Sequence, residues 1–465
     1  MPPKRKAAVE ASARINAAKK VKKNPTRPLN KKPTQPLDVF VFGSGENGEL
    51  GLGAMKRNGK RPTNVTRPRL NDFLDADTVG VVQVAVGGMH CVAITVDNDL
   101  LTWGVNDDGA LGRDTTWEGA TKDADAASDA SSDENDDDSG LNPLESTPTA
   151  IPSANYEGNP VWVQVAATDS ASFALTSMGD VYGWGTFIGI DGPIGFSLST
   201  YREGIKKQKT PIKIPELSNI KSLAAGGNHM LALDKSGNVW SWGDASQYQL
   251  GRVVTEKYRH NALKPTMQTG LHRNDTTYIA AGGYHSFAVD EQDRVWAWGL
   301  NNYGQTGVLR NAGEDNAVIV RPSLVRSLYG TTIVDIQGGL HHSVACSDEG
   351  ELFSWGRCDD GQAGVPRKDL PEEDVMGGSI LLKPVTIPGI TAQRVAVGID
   401  NSFAIDADGK VYSWGFSLNY RTGQGTEETI DGATRIENTA VKDRVLSFAG
   451  CGGQFSVLAS PAEEA

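Results

Sequence analysis

Ala224-Ala-Gly-Gly-Asn-His-Met-Leu-Ala-Leu-Asp-Lys-Ser-Gly-Asn-Val-Trp-Ser-Trp-Gly243 reads as one strand, a tight turn and a second strand ending on Trp-Gly. The same phrase recurs along the chain. Its His slot is filled by His90, Ala171, His229, His285, His342 and Asn401, and a Gly follows 14 residues later in each copy: Gly104, Gly185, Gly243, Gly299, Gly356 and Gly415. Eight residues after the slot come Asn98, Gly179, Gly237, Asp293, Gly350 and Gly409, residue types that tolerate the left-handed backbone a hairpin turn requires. Successive slots lie 81, 58, 56, 57 and 59 residues apart, so the chain is a repeat architecture.

The two ends supply complementary halves. Val39-Phe-Val-Phe-Gly43 is a Gly-ending strand with no slot strand before it, and Gly450-Cys-Gly-Gly-Gln-Phe455-Ser-Val-Leu is a slot strand with nothing after it. An open row of sheets would leave both as unpaired edges, an aggregation hazard. A ring in which the ends share one sheet removes it. The expected fold is all-β: a seven-bladed β-propeller over residues 38–460, closed by pairing of N- and C-terminal strands, with a disordered basic arm at 1–37 and a short tail at 461–465.

Composition fits this. Fifty-three Gly and ten Trp in 465 residues suit many short strands and tight turns. No apolar run reaches the ~18 residues of a membrane span. The basic N-terminus lacks the apolar segment of a secretory signal, and Cys91, Cys346, Cys358 and Cys451 form no CxxC pair, as expected of thiols in a reducing compartment. The net charge of −12 is split: residues 1–37 carry eleven Lys or Arg against one Glu, so the remainder is strongly acidic. Lys4-Arg-Lys6 and Lys19-Lys20-Val-Lys22-Lys23 are two basic clusters with the spacing of a bipartite nuclear import signal, and such an arm also suits the phosphate backbone of DNA. Met1-Pro-Pro-Lys-Arg is further similar to the start of proteins methylated on the α-amino group.

Gly43-Ser-Gly-Glu-Asn-Gly48 spells the dinucleotide fingerprint, but related turns recur at Gly104–Gly109 and Gly299–Gly304 and no helix pattern follows, so a repeat turn accounts for all three. There is no GxxxxGK[ST] loop, and no cofactor is expected. Two interruptions break the repeat. Residues 114–147 include eight acidic and no basic residues between Asp123 and Asp138, the pattern of a disordered loop. The second falls where six of seven copies place a Gly eight residues beyond the Trp-Gly glycine (Gly51, Gly112, Gly251, Gly307, Gly364, Gly423); after Gly185 the spacing fails. There Gly189, Ile190, Asp191, Gly192, Pro193, Ile194, Gly195 and Phe196 form an excursion, within 186–210, that either projects from the ring or is a tolerated loop.

The motif Ala-x-Gly-Gly-x-His, Asp-x-x-Gly-x-Val-x-x-Trp-Gly, Gly-x-Leu-Gly resembles the repeat of the regulator of chromosome condensation family, in phase over residues 39–459. The basic arm and the excursion make it most similar to the chromatin-bound branch that exchanges guanine nucleotide on the small GTPase Ran. That resemblance implies that 189–196 is a β-wedge pressed against the GTPase near its phosphate site. It also implies an exchange face just before the slots: Asp169 matches the family's acidic residue, Asn228 stands where Asp is usual, and His341 matches the family's His. Expected partners are Ran, DNA, the nucleosome through histones 2A and 2B, and an import receptor; Arg252 and Arg259 are candidates for the histone acidic patch. Expected localisation is nuclear and chromatin-associated.

Fold alone does not fix function. A non-catalytic chromatin or interaction scaffold is one alternative. A relative of the plant ultraviolet sensors is another, although the Trp residues sit at strand positions that packing explains. The slot histidines read as scaffold, each bonding to neighbouring backbone, since a sevenfold ring spreads them apart instead of converging them on a metal. No nucleophile, base and oxyanion site assemble, so exchange by binding is expected, without covalent catalysis.

Overall fold

The turn eight residues after each slot adopts the backbone its residue types predict, with φ of 76° at Asn98, 82° at Gly179, 77° at Gly237, 58° at Asp293, 85° at Gly350 and 72° at Gly409. Each turn closes a hairpin in antiparallel register, as in His229↔Gly243 and Leu231↔Ser241. Six such hairpins gain an inner and an outer strand and become the first six blades of a ring. The computed structural model describes residues 28–55, 63–118, 140–371 and 375–463 of the chain.

Blade 1 begins at strand Val81–Val86; blade 2 at Trp162–Ala167; blade 3 at Ile220–Ala225; blade 4 at Thr276–Ala281; blade 5 at Ile333–Gly338; blade 6 at Ala392–Val397; blade 7 at Phe448–Cys451. These inner strands touch one another around the axis. Each climbs to its Gly-x-slot turn on one end of the ring, the slot face, and the next strand descends to the opposite turn face. Blade 7 is the closing blade. Leu37–Ser44 lies between Phe455–Pro461 and Asn64–Leu70, with Phe40 opposite Leu458 and Gly43 opposite Phe455. Val39, Phe40, Val41, Phe42, Val457 and Leu458 are buried there, each contributing roughly 2 kcal/mol by removal from water. The seven-bladed closure expected from the two half-copies is the one observed.

Blades are sewn together through the slots. His90, His229, His285 and His342 each place Nε2 2.7–2.8 Å from the hydroxyl of a serine on the next blade: Ser172, Ser286, Ser343 and Ser402. The sequence reading expected backbone partners; the partner is a side chain. Ser172, Ser286 and Ser343 donate onward to the carbonyls of Ala110, Gln249 and Gln305. A serine that donates there can only accept from histidine, so His90, His229 and His285 carry a proton on Nε2, and burial, which lowers their pKa, keeps the rings neutral. The same three carbonyls accept the indole N–H of Trp184, Trp298 and Trp355. Gly112 needs its left-handed backbone (φ 67°) and lack of Cβ because the Trp184 ring lies against it.

Three expectations change. Residues 28–36 are not free arm. Leu29 and Asn30 donate backbone N–H to Ser177, the Asn30 side chain reaches the carbonyl of Ile220 (2.9 Å), and Lys32 reaches that of Val96 (2.6 Å). They form a strap across the turn face that ties blades 1, 2 and 3 to the closing strand. The acidic insert is also bounded by structure: Asn142 caps the short helix Pro143–Ser146, and Thr115 donates to Glu145 (2.8 Å). Residues 1–27, with Lys4, Arg5, Lys6, Lys19, Lys20, Lys22 and Lys23, lie outside the described residues, as do 119–139 of the insert. The basic-ended stretch up to Lys213 is the outer strand of blade 2, Gln208–Lys213.

Candidate functional site

Blade 2 departs from its sisters immediately after Gly185. Strands Phe187–Gly189 and Gly192–Gly195 pair as a separate two-stranded hairpin, turning at Ile190-Asp191, instead of packing the usual loop between blades. Gly192 (φ 97°) and Gly195 (φ 121°) adopt backbone that an L side chain resists. The roots are apolar: Phe187 and Phe196 are buried and stack with Phe173, with ring centroids 6.0 Å and 5.7 Å from it. Phe173 in turn meets Trp242 of blade 3 edge-on at 5.8 Å. Ile194 also packs on this cluster. The tip is the reverse. Ile190 is 92 % exposed, an apolar side chain left bare at the tip. The excursion is therefore a projecting hairpin, anchored by an aromatic plug.

Asp169 and Asn228 meet beside the hairpin, on the slot face of the ring. They come from adjacent blades, and the Asn228 amide donates to the Asp169 carboxylate at 3.0 Å. The Asn228 carbonyl oxygen accepts the backbone N–H of Ile188 at 2.9 Å. Asn228 thus bridges the acid to the hairpin base, a role only an amide fills, since an aspartate offers no donor. Asp169 reaches solvent on one side but is crowded by protein on the others. That desolvation pushes its pKa up to about 6, against the lowering pull of the Asn228 bond. The Asp169 N–H bonds the Gly227 carbonyl (2.8 Å), one of a ring of inter-blade bonds that also joins Gly283 to Gly339, Leu340 to Ile399 and Gly453 to Gly88.

His341 stands on the same face in blade 5, three blades from Asp169, so it shares a face with the Asp169–Asn228 pair but does not touch it. Its ring packs on Tyr303 at 4.8 Å. Arg357, 5.9 Å from the Tyr303 ring, is held by Asp359 (2.6 Å), Asp360 (2.9 Å) and Asp400 (3.4 Å). Burial lowers the His341 pKa, opposed by Asp400, so the ring is neutral at physiological pH. Sequence reading missed this cluster. The available signal was Asp400, which occupies in the sixth copy the same position before the slot that Asn228 and His341 occupy in theirs.

The two nucleosome candidates divide. Arg252 is turned inward, its Nη1 donating to the carbonyl and hydroxyl of Ser241, and burial lowers its pKa to about 10. Arg113 does the same to Thr102 in blade 1, so this inward contact is part of the repeat. Arg259 is exposed, but it pairs with Asp191 at the hairpin tip (3.1 Å) and with Glu256 (3.3 Å). Among the described residues no cluster of His, Cys, Asp or Glu could hold a metal ion.

A closed seven-bladed ring with a hairpin and an acid at one mouth defines a class, and the family comparison agrees: residues 38–458 match the RCC1-like domain, and the chain belongs to that family. Among its relatives it is 43% identical over 434 residues to guanine nucleotide exchange factor SRM1 of Saccharomyces cerevisiae, covering 90% of this chain and 86% of that one. It is 39% identical to protein pim1 of Schizosaccharomyces pombe, covering 95% and 77%. A crystal structure of Prp20p from Saccharomyces cerevisiae, described with its binding properties to Gsp1p and histones, superposes with a TM-score of 0.82 at 39% identity, covering 94% of each chain. The same yeast protein bound to Kap60 superposes with a TM-score of 0.81 at 38% identity, covering 100% and 96%.

Proposed function

We propose that this chain is a guanine nucleotide exchange factor for the small GTPase Ran, working on chromatin in the nucleus. The observation that carries the reading is the projecting hairpin 187–195, tied by Asn228 to Asp169, in a chain so close over its length to a named exchange factor. Exchange follows from binding alone. A surface that holds nucleotide-free GTPase more tightly than the loaded form must weaken nucleotide binding by the same factor. Ile190 enters an apolar niche near the phosphate-binding loops and displaces them. Asp169, ionised at pH 7, engages a basic or N–H group uncovered by that displacement, and neutral His341 docks the far side. The acidic body draws in a basic partner face.

The basic clusters Lys4–Lys6 and Lys19–Lys23 bind DNA and the import receptor, and the propeller surface contacts histones 2A and 2B. Yeast relatives described with histones and with Kap60 support this part. The test is release of a fluorescent GDP analogue from Ran by the full chain. Catalytic acceleration, lost on deleting 189–194 and reduced by Asp169→Ala, is expected. Tight association with chromatin but unaccelerated release would make the protein a scaffold instead.

A further inference from the structure

The hairpin grows from blade 2, yet its side contacts beyond the aromatic plug come largely from blade 3. At its base, the Ile188 N–H is held by Asn228. Along its flank, Leu263 lies against Gly195, where a Cβ would stand 3.1 Å from the Leu263 methyl. Just beyond it, Tyr201, on the helix Leu198–Arg202 that follows the hairpin, stacks face to face on His260, with centroids 5.2 Å apart and planes 6° from parallel. At the tip, Asp191 meets Arg259 at 3.1 Å. Arg259, His260 and Leu263 all belong to one short segment, Glu256–Leu263, which follows the third strand of blade 3.

We propose that Glu256–Leu263 is a brace that aims the wedge, with Arg259 as its positioning residue through the ion pair to Asp191. Two residues at a hairpin tip with glycines at 189, 192 and 195 have little rigidity of their own. Exposed Ile190 is useful only if it arrives in one orientation, because binding energy spent on ordering the hairpin is no longer there to weaken the nucleotide. The segment supplies that order from the neighbouring blade: a hydrophobic stop at the flank, a stack beside it and a charge pair at the tip. It leaves Ile190 bare while it fixes the residue next to it. Arg259 acts here on the wedge of this protein and not first on a histone surface. The inference rests on the wedge reading of 187–195.

The test is fluorescent GDP release from Ran, with kcat and KM separated, for the full chain carrying Arg259→Asp, Asp191→Arg, the charge swap of both, Tyr201→Ala, and the deletion of 189–194. For an exposed pair the expected loss is about threefold to tenfold in kcat for each single reversal, at unchanged melting temperature and little change in KM. The swap restores kcat to within about twofold. Raising salt to about 0.5 M narrows the gap between wild type and the singles, because the pair is screened. Tyr201→Ala lowers kcat in the same way. Wild-type kcat in both reversals, while the deletion abolishes exchange, overturns the brace and leaves the wedge. Two slow singles that the swap does not rescue also overturn it, since each residue would then touch Ran itself. Full exchange by the deletion variant takes away the wedge reading, and the brace with it.

Discussion

Asp169 occupies a position that the repeat fills with glycine in four of its copies, Gly88, Gly227, Gly283 and Gly453. Four sister copies form their blades without a carboxylate there, and crowding raises the pKa of Asp169 to about 6. Its ionised form is therefore lost as pH falls through about 6, and exchange should fall with it; an Asp169→Asn variant, measured from pH 5 to 8, should be slow and flat across that window. A wild-type profile that stays level down to pH 5 would separate the carboxylate from the reaction. Asn228→Ala removes both the bond to Asp169 and the bond to Ile188 and should cost exchange about tenfold with little loss of fold stability. Asn228→Asp keeps the acceptor and loses the donor, so it should recover only part. The sequence made Asp169 visible because a charge replaced glycine. It hid the contacts of Asn228, which depend on two atoms of the neighbouring blade, Asp169 Oδ2 and Ile188 N, arriving at one side chain. The inward turn of Arg252 onto Ser241 was hidden for the same reason: loop arginines look alike until their direction is known.

Between blades, the ordering device is the His–Ser–carbonyl–Trp relay. Burial lowers the pKa of His90 to about 4, of His229 to about 3 and of His342 to about 4, so these rings stay neutral in the fold while the unfolded chain protonates near 6.5. The unfolded state then binds more protons below pH 6.5. Stability is complete above that pH and should decline as pH drops toward 4, by about 1 kcal/mol per pH unit for each histidine. Denaturant midpoints at pH 7.5, 6 and 5 check this, and a His229→Asn variant should show a shallower slope. Trp298→Ala, emptying a buried site and leaving the Gln249 carbonyl to the Ser286 hydroxyl alone, should cost about 3–5 kcal/mol. The hairpin turns and slot spacing were legible because they repeat, and a periodic constraint prints itself several times. The projecting hairpin was legible only as a failure of period at Gly185. Its projection depends on Phe187, Phe196 and Phe173 coming together, which spacing does not encode.

For the molecule as a whole, the ring is held shut by the blade that pairs its two ends. Removing residues 453–465 strips the closing strand of its partner, exposes Val39 to Phe42 and should give an aggregating protein, whereas removing 1–27 should leave melting unchanged. Removing 1–36 should lower it, because the strap through Asn30 and Lys32 is gone; equal melting of the two truncations would show that the strap carries no stability. The truncation at 27 should also reduce the salt slope of DNA binding, by about 0.9 for each phosphate no longer neutralised. Ring number was legible from the half-copies at the ends, and the strap was not, since Leu29 and Asn30 contribute backbone N–H groups that any residue carries. The functional reading rests on one mouth of this ring prying nucleotide from a GTPase by means of the hairpin 187–195. Stopped-flow release of fluorescent GDP from Ran, by the full chain and by the chain lacking 189–194 at matched melting temperatures, decides it. Acceleration by the first and loss of at least about a hundredfold in the second is the predicted result; equal rates from the two proteins would contradict it.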